Sequence, residues 1–350
     1  MKINNLKIGI DRLHLSNIEV IGIDFTRFRG YYEKGKGKEI VDMKTGEVSE
    51  INKLIVKVEG ISTSKKDNYK IKLELKNVYG NYYYIITTNA PKLLYNSNEN
   101  NIHKVEHLKQ LKGIIGNELI KEGIIIDLEN TTVTEVEVNT NSHNPKMVDS
   151  LRMIMNAWKF EGNKVPNTDT LEGLESILLK RSDRKIKVYN KAKQLDDTLQ
   201  LKMYDDTVRV EISTNKTDTI KRIIGCDNTL DNLIDNFNKV QDWYKDCIKR
   251  DIQKPLRSYI KKLENHIINK MDKKEKTSNI LLDLALKGDM VDLDIFANAI
   301  KKQYKLQGKK SPSNVIRNQI KKIDKLDNNL VEKLSGNLEI VEKFFDELGI

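Results

Sequence analysis

The sequence predicts an α+β fold in which an antiparallel-rich sheet is backed by helices and an all-helical domain follows. Three observations predict this fold. Apolar and polar residues alternate in several segments before residue 225, as in strands with one buried face. Two helical patterns interrupt these strands, and after residue 225 a 3.6-residue period continues almost to the end. We therefore expect an α+β domain over residues 1–225 and a helical domain over residues 226–350.

The individual elements follow from local patterns. Tyr79-Gly80 separates two alternating segments and predicts a hairpin turn. A helix is predicted over 103–121, ending near Gly123, and a second amphipathic helix over 145–160. The predicted strands are "LKIGIDRLHL" (6–15), 53–61, 69–78, 81–90, one or two within "GIIIDLENTTVTEVEVNTN" (123–141), "DRKIKVYNKAK" (183–193) and "DTVRVEIST" (206–214). The helical region is predicted to hold five to seven helices.

Composition sets limits on the function. The chain has 350 residues, of which 38% are hydrophobic and 32% charged, as in an ordered globular protein. Its net charge of +10 favours a polyanionic partner, although AT-rich codon usage also enriches lysine. The two cysteines, Cys226 and Cys247, lie outside any CxxC spacing, which excludes a disulfide framework or a zinc site. No apolar run reaches the ~20 residues of a membrane span. We expect a cytoplasmic protein without a membrane partner.

Three strands have an apolar face and a chemically rich polar face. Side chains alternate along a strand, so residues two apart share a face. Their polar faces carry Glu135 and Glu137 in "VTEVEVN", Arg209 and Glu211 in "TVRVEIS", and Lys185, Lys187, Tyr189 and Lys191 in "KIKVYNK". If these strands are neighbours, two carboxylates can hold Mg²⁺ or Mn²⁺ beside a tyrosine hydroxyl. The same alternation also describes an ordinary solvated face with a packed tyrosine, and the spacing leaves both interpretations open.

The order of four segments carries a family resemblance. "TNAPKLLYNSNEN" (88–100), "VTEVEVN" (133–139), "LLKRSDRKIKVYNKAKQ" (178–194) and "VRVEIST" (208–214) follow one another along the chain. This order resembles the rolling-circle replication initiators of phages (gene II/X type) and plasmids, over roughly residues 1–225. The resemblance implies an HUH-nickase-like fold and a metal-dependent endonuclease that nicks and rejoins one DNA strand through a 5′-phosphotyrosyl intermediate.

The resemblance also implies residue roles. Tyr189 becomes the nucleophile, Lys191 a catalytic phosphate contact, and Arg209 a residue that orients Glu211 or contacts DNA. Glu211 and Glu137 become metal ligands or acid/base groups, and Glu135 stands in the same acidic strand. The sequence departs from the family pattern at Glu137, where aspartate is expected, and at Glu135, where arginine is expected. The expected DNA contacts are Arg181, Arg184, Lys185, Lys187, Lys193, Arg209 and, in a loop approaching DNA, Lys92.

Histidine supplies no equivalent motif. The five histidines include no His-hydrophobic-His pair, which the wider superfamily uses for its metal. His103 and His107 are spaced i, i+4 on a predicted helix, a geometry that can bind metal, but no glutamate completes an HExxH motif. A carboxylate-held metal therefore fits the sequence better.

The expected partner is origin DNA, single-stranded or folded into a hairpin. Segment 301–322 is basic and amphipathic, so the tail could present cations to a DNA duplex, dimerise, or dock a host helicase or polymerase. Two rival functions remain open at this point. One is a non-catalytic DNA-binding regulator in which Tyr189 is only a contact, and the other is an RNA-binding protein that uses the basic sheet face.

Overall fold

The computed structural model describes most of the chain in segments. These are residues 6–24, 53–59, 69–78, 81–95, 101–144, 147–148, 150–170, 173–191, 207–276, 279–280, 284, 292–309, 312–326 and 336–350. The described strands are β1 Gly9–Ser16, β2 Glu19–Ile23, β3 Lys53–Glu59, β4 Tyr69–Val78, β5 Asn81–Asn89, β6 Ile124–Asp127, β7 Thr132–Ser142, β8 Asn167–Thr170, β9 Gly173–Lys180, β10 Lys185–Asn190 and β11 Val208–Thr214.

Nine of these strands form one sheet, in the order β3-β4-β5-β1-β7-β11-β10-β9-β8. Every neighbouring pair is antiparallel. Strands β2 and β6 form a separate antiparallel pair. The predicted antiparallel-rich sheet is therefore confirmed. Strands β4 and β5 pair as far as Val78 and Asn81, as the predicted hairpin requires, and the predicted turn residues Tyr79 and Gly80 lie outside the described residues.

Helices make up the rest of the described fold. They are α1 Ala90–Tyr95, α2 Val105–Lys121, α3 Leu151–Phe160, α4 Thr217–Ile224, α5 Leu230–Asp235, α6 Phe237–Ile248, a π-helical turn Lys249–Gln253, α7 Lys254–Asp272, α8 Leu293–Leu306, α9 Ser313–Leu326 and α10 Asn337–Leu348. Helix α2 confirms the predicted helix over 103–121. Helix α3 is shorter than the predicted span of 145–160, and the expected loop that holds Lys92 forms helix α1.

One apolar core joins the sheet to helices from both parts of the chain. The apolar side of β7, β10 and β11 contributes to the same buried cluster as α2, α3, α6, α7 and α10. Tyr244 of α6 is fully buried, and its hydroxyl donates a hydrogen bond to the carbonyl of Val210 on β11 (2.9 Å). Gln241, one turn earlier on α6, donates to the carbonyl of Ile8 (2.9 Å). Helix α6 therefore packs directly against the sheet.

The core packs against one face of the central strands, and their opposite, polar face is left for other contacts. The predicted domain boundary at residues 225/226 stays a prediction. Residues on both sides of it contribute to this core. Within the described ranges, no helix is both long enough and apolar enough to cross a membrane.

Candidate active site

The central strands place the predicted polar residues on one face. On β10, Tyr189 lies opposite Arg209 of β11, and Lys187 lies opposite Glu211. Strand β11 also pairs with β7, where Ser213 lies opposite Glu137. The adjacency that the sequence could only assume is therefore present: β10, β11 and β7 are consecutive strands of the sheet.

A β-bulge in β1 adds a carboxylate, Asp11, that sequence analysis did not select. The pairing of β1 with β7 shifts between Ile10 and Arg12, which leaves Asp11 as the extra residue. Because a bulge breaks the strict alternation of side chains, two successive residues can share a face. Asp11 and Arg12 both line the same polar cleft, whereas Ile10 and Leu13 on either side are completely buried in the core.

Three carboxylates meet at this point. One oxygen each from Asp11, Glu137 and Glu211 lies within 4.8 Å of the other two. The pKa of Glu137 is raised well above its usual value, first by burial and then by repulsion from Glu211 and Asp11. Oxygen ligands at this spacing suit a hard divalent cation, which would offset that repulsion. Among the described residues, no other such group of three potential ligands is found. The residues present therefore fit Mg²⁺ or Mn²⁺.

Tyr189 lies beside this carboxylate cluster with only 5% of its surface exposed. Its hydroxyl donates a short hydrogen bond to Oε1 of Glu211. Burial, followed by the charge of Glu211, raises the tyrosine pKa well above its usual value. The ammonium of Lys187 lies 4.2 Å from the ring centroid, within reach of a cation–π interaction. Tyr189 is thus protonated at neutral pH and bonded to a carboxylate that can accept its proton.

Two buried cations balance the acids. Arg209 is completely buried; its Nε donates to Oδ1 of Asn141 (2.8 Å), and its Nη1 lies 3.4 Å from Asp11 and 4.0 Å from Glu211. Lys191 is 4% exposed, and burial, with Arg209 as the next cause, lowers its pKa to about 8. Of the two roles expected for Arg209, this position favours orienting the carboxylates over contacting DNA.

The polar face opens into a cleft of about 300 Å³. Its lining includes the three clustered acids, the tyrosine and several cations. The lining residues are Asp11, Arg12, Asn89, Glu135, Glu137, Leu178, Lys185, Lys187, Tyr189, Lys191, Glu211 and Ser213. A cleft lined by cations around a carboxylate cluster and a tyrosine can receive an anionic group such as a phosphodiester.

Glu135 occupies a different place from the other predicted metal ligands. It lines the cleft, but it is not part of the carboxylate cluster. It lies opposite His14 on β1, with 3.3 Å between its Oε2 and the histidine Nδ1. Two residues along a strand span ~7 Å, which separates Glu135 from Glu137 on the same face. Asp11 of the bulge stands in the third position that sequence analysis gave to Glu135.

The predicted DNA contacts are divided between surface and interior. Arg184 makes a two-pronged ion pair with buried Asp251 of the π-helical turn, with Nε–Oδ2 and Nη2–Oδ2 distances of 2.9 and 2.7 Å. Arg181 approaches the same carboxylate at 3.4 Å. Lys92 is 9% exposed within α1. Lys185 is exposed and lines the cleft. Lys193 lies outside the described residues.

Of the two histidines, His107 lies on α2 and has a local structural partner, whereas His103 precedes the helix. Nδ1 of His107 is hydrogen-bonded to the hydroxyl of Tyr95 on α1 (2.5 Å), and the two rings meet edge to face. Burial lowers the pKa of His103, one turn earlier. This arrangement joins α1 to α2, and neither histidine lines the cleft.

The comparison with solved structures finds a similar chain. It is a rolling-circle replication initiator protein from Geobacillus stearothermophilus, 13% identical, with a TM-score of 0.29; the match covers 60% of this chain and 74% of that one. At this score the similarity is no basis for assigning a function. No family model matches the chain, and no curated protein matches it.

Proposed function

We propose that this chain is a rolling-circle replication initiator that nicks and rejoins one strand of origin DNA through Tyr189. The observation that carries the proposal is the hydrogen bond from the Tyr189 hydroxyl to Glu211, which is also one of three clustered carboxylates. A nucleophile bonded to a base beside a metal-competent cluster is the arrangement that covalent phosphoryl transfer needs. A packed structural tyrosine would not need a partner carboxylate that is shared with two further acids.

A divalent cation would be held by Asp11, Glu137 and Glu211. When bound, the cation would polarise the phosphodiester and stabilise the negative charge that develops on it. Arg209 contributes a positive charge beside the cluster, since its guanidinium lies 3.4 Å from Asp11 and 4.0 Å from Glu211. Because it is completely buried, this cation holds the two carboxylates in place without occupying the space that the phosphate needs.

The transfer step can be written with its atoms balanced. The Tyr189 oxygen attacks phosphorus while its proton moves to Oε1 of Glu211, the hydrogen-bond acceptor. The bond between phosphorus and the 3′ oxygen breaks, which leaves the 5′ phosphate esterified to Tyr189. The departing 3′ oxygen takes a proton from Lys191, whose pKa of about 8 suits donation near neutral pH. Attack by a 3′ hydroxyl on the phosphotyrosine reverses these steps and rejoins the strand.

Covalent adduct formation tests the proposal directly. End-labelled single-stranded oligonucleotides from the origin region are incubated with the protein and Mg²⁺ or Mn²⁺, and the products are separated on a denaturing gel. We expect a protease-sensitive labelled band that Tyr189→Phe abolishes. The matched control is Tyr304→Phe on α8, a residue that does not line the cleft. The control variant should form as much adduct as wild type.

Two other outcomes would contradict the proposal. Equal adduct from wild type and Tyr189→Phe would move the nucleophile to another residue. No adduct from wild type, together with tight and metal-independent DNA binding, would favour the regulator that shares this fold.

A further inference from the structure

The short connection between β9 and β10 is a well-anchored turn. The backbone amide of Arg181 donates to the carbonyl of Arg184 (2.8 Å), which closes the turn. The hydroxyl of Thr214, at the end of β11, donates to the carbonyl of Asp183 (2.7 Å). The turn is therefore fixed against the neighbouring strand, at the end of β10 that lies away from Tyr189.

Two carboxylates gather arginines from three parts of the chain around this turn. Asp251 receives Arg184 in the two-pronged ion pair, and Nε of Arg250 lies 3.5 Å from the same carboxylate. Asp183 contacts Arg184 at 2.6 Å and Arg222 of α4 at 3.5 Å. Since Asp251 is 2% exposed, it acts as a buried anchor for the arginine groups.

The gathered cations differ in what they offer to solvent. The Arg184 side chain is only 8% exposed, so its guanidinium is used by the fold. By contrast, the Arg222 and Arg250 side chains are 73% and 54% exposed. Lys180 and Lys185 are exposed on the flanking strands, and within the described part of the chain neither has an acidic partner within 4 Å. We call these four exposed cations, Lys180, Lys185, Arg222 and Arg250, the turn patch.

The turn patch and the cleft share one residue, Lys185. Lys187 follows it on the same face of β10 toward Tyr189. Residues two apart on a strand are ~7 Å apart, which is comparable to the spacing of successive phosphates in an extended single strand. A backbone laid along β10 could therefore meet Lys187 and Lys185 in turn before it reaches the exposed arginines. Positively charged grooves of this kind track single-stranded nucleic acid.

We infer that the turn patch binds the phosphate backbone of single-stranded DNA that flanks the phosphodiester at Tyr189. The inference rests on the proposed function, because it takes the bound strand to be the one that is nicked. It extends that function by assigning the flanking strand a path along β10 and by adding Arg222 and Arg250 as contacts. It also reassigns Arg184, which holds the turn in place instead of meeting DNA.

The test measures binding separately from nicking. Fluorescence anisotropy measures binding of the full chain to two labelled single-stranded oligonucleotides in the presence of a chelator. One oligonucleotide has about 6 nucleotides and the other about 20, which is longer than the usual site size. The double variants are Lys180→Gln/Lys185→Gln and Arg222→Gln/Arg250→Gln. The control is Lys109→Gln/Lys121→Gln, which removes the same charge from α2, none of whose residues lines the cleft. Circular dichroism checks that each variant is folded.

We expect both patch variants to weaken binding of the longer oligonucleotide while the control binds like wild type. The slope of log affinity against log salt should fall by about 0.7 for each phosphate contact removed. The short oligonucleotide should lose less affinity to Arg222→Gln/Arg250→Gln, because it ends before those residues. Unchanged binding by both patch variants, an equal loss in the control, or no binding of single strands by wild type would overturn the inference.

Adduct formation on the same proteins separates this inference from the proposed function. If the patch variants form adduct yet bind the long strand like wild type, the inference about the turn patch is refuted and Tyr189 remains the proposed nucleophile. A wild type that forms no adduct, together with patch variants that lose the long strand selectively, would reject the nickase and retain the turn patch as a single-strand surface.

Discussion

The hydroxyl of Tyr189 and the carboxylate of Glu211 are joined by a direct hydrogen bond between adjacent strands of the sheet. This contact holds the tyrosine in its protonated form, because burial and the neighbouring negative charge both raise its pKa. The same carboxylate belongs to the cluster with Asp11 and Glu137. A cation that binds the cluster would therefore also act on the hydrogen-bond partner of Tyr189.

The carboxylate cluster predicts a specific pattern of metal affinities. Asp11→Asn, Glu137→Gln and Glu211→Gln should each weaken Mn²⁺ binding by at least about tenfold, since each removes a charged oxygen ligand. Glu135→Gln is the matched control, because Glu135 pairs with His14 outside the cluster. Electron paramagnetic resonance of free Mn²⁺ during a titration gives the affinities. An equal loss of Mn²⁺ affinity in the control would show that Asp11, Glu137 and Glu211 are not the specific metal ligands.

Lys191 predicts a conflict between stability and activity. Its pKa is about 8 in the folded protein, while an unfolded lysine titrates near ~10.4. The unfolded chain binds the extra proton between these values, so this group makes the protein more stable as pH rises from about 8 to about 10.4. At pH 7, Lys191→Met should therefore raise the free energy of unfolding by up to about 3 kcal/mol and abolish adduct formation.

Urea unfolding in chelator at several pH values checks this prediction. The difference between Lys191→Met and wild type should shrink as the pH approaches 10. A gain that stays constant with pH would mean that the benefit comes from packing rather than from removal of a buried charge.

The Asp251 anchor predicts a large loss of stability. Asp251→Asn removes the charge of the two-pronged partner of buried Arg184 and leaves only the partly exposed Asp183 to balance it, which should lower the free energy of unfolding by about 3 kcal/mol. The control is Asp227→Asn, since Asp227 is 79% exposed and pairs with Lys221 on the surface. That change should cost less than about 1 kcal/mol. Similar midpoints of urea unfolding for the two variants would contradict the structural role of Asp251.

Gly9 predicts a steric effect just before the bulge. A Cβ atom there would lie 2.5 Å from the carbonyl oxygen of Ile102, whose backbone pairs with Ile10. Gly9→Ala should therefore lower the free energy of unfolding by about 1–3 kcal/mol. Gly113→Ala on α2 meets no atom within 4 Å and should stabilise the helix by about 1 kcal/mol. Thermal unfolding distinguishes the two signs, and a stabilising Gly9→Ala would refute the close approach.

Alternation along the strands accounts for what the sequence could predict. It placed Glu137, Tyr189 and Glu211 on polar faces, and the structure brings these faces together because β7, β11 and β10 are consecutive. The alternation fails in β1, where the core residues Ile10 and Leu13 are three apart instead of two. That change of phase, with two polar residues between, was the available signal for Asp11, and an assumption of regular alternation hides it.

Long-range contacts account for what the sequence could not predict. Arg184 belongs to a basic run that suggests DNA contact, but its partner Asp251 lies 67 residues away in a helical segment. Nothing in the local pattern of either residue indicates their pairing. The same applies to Arg209, whose strand position predicted a polar surface and whose side chain is completely buried beside Asp11 and Glu211.

The bulge at Asp11 has an evolutionary consequence. Substitutions along β1 change one side chain at a time, but deleting one residue there would restore regular pairing and reverse the facing of every residue on one side of it. Either the aspartate would leave the cleft or a buried isoleucine or leucine would enter it. Homologous chains that keep this chemistry should therefore vary in the composition of β1 more readily than in its length.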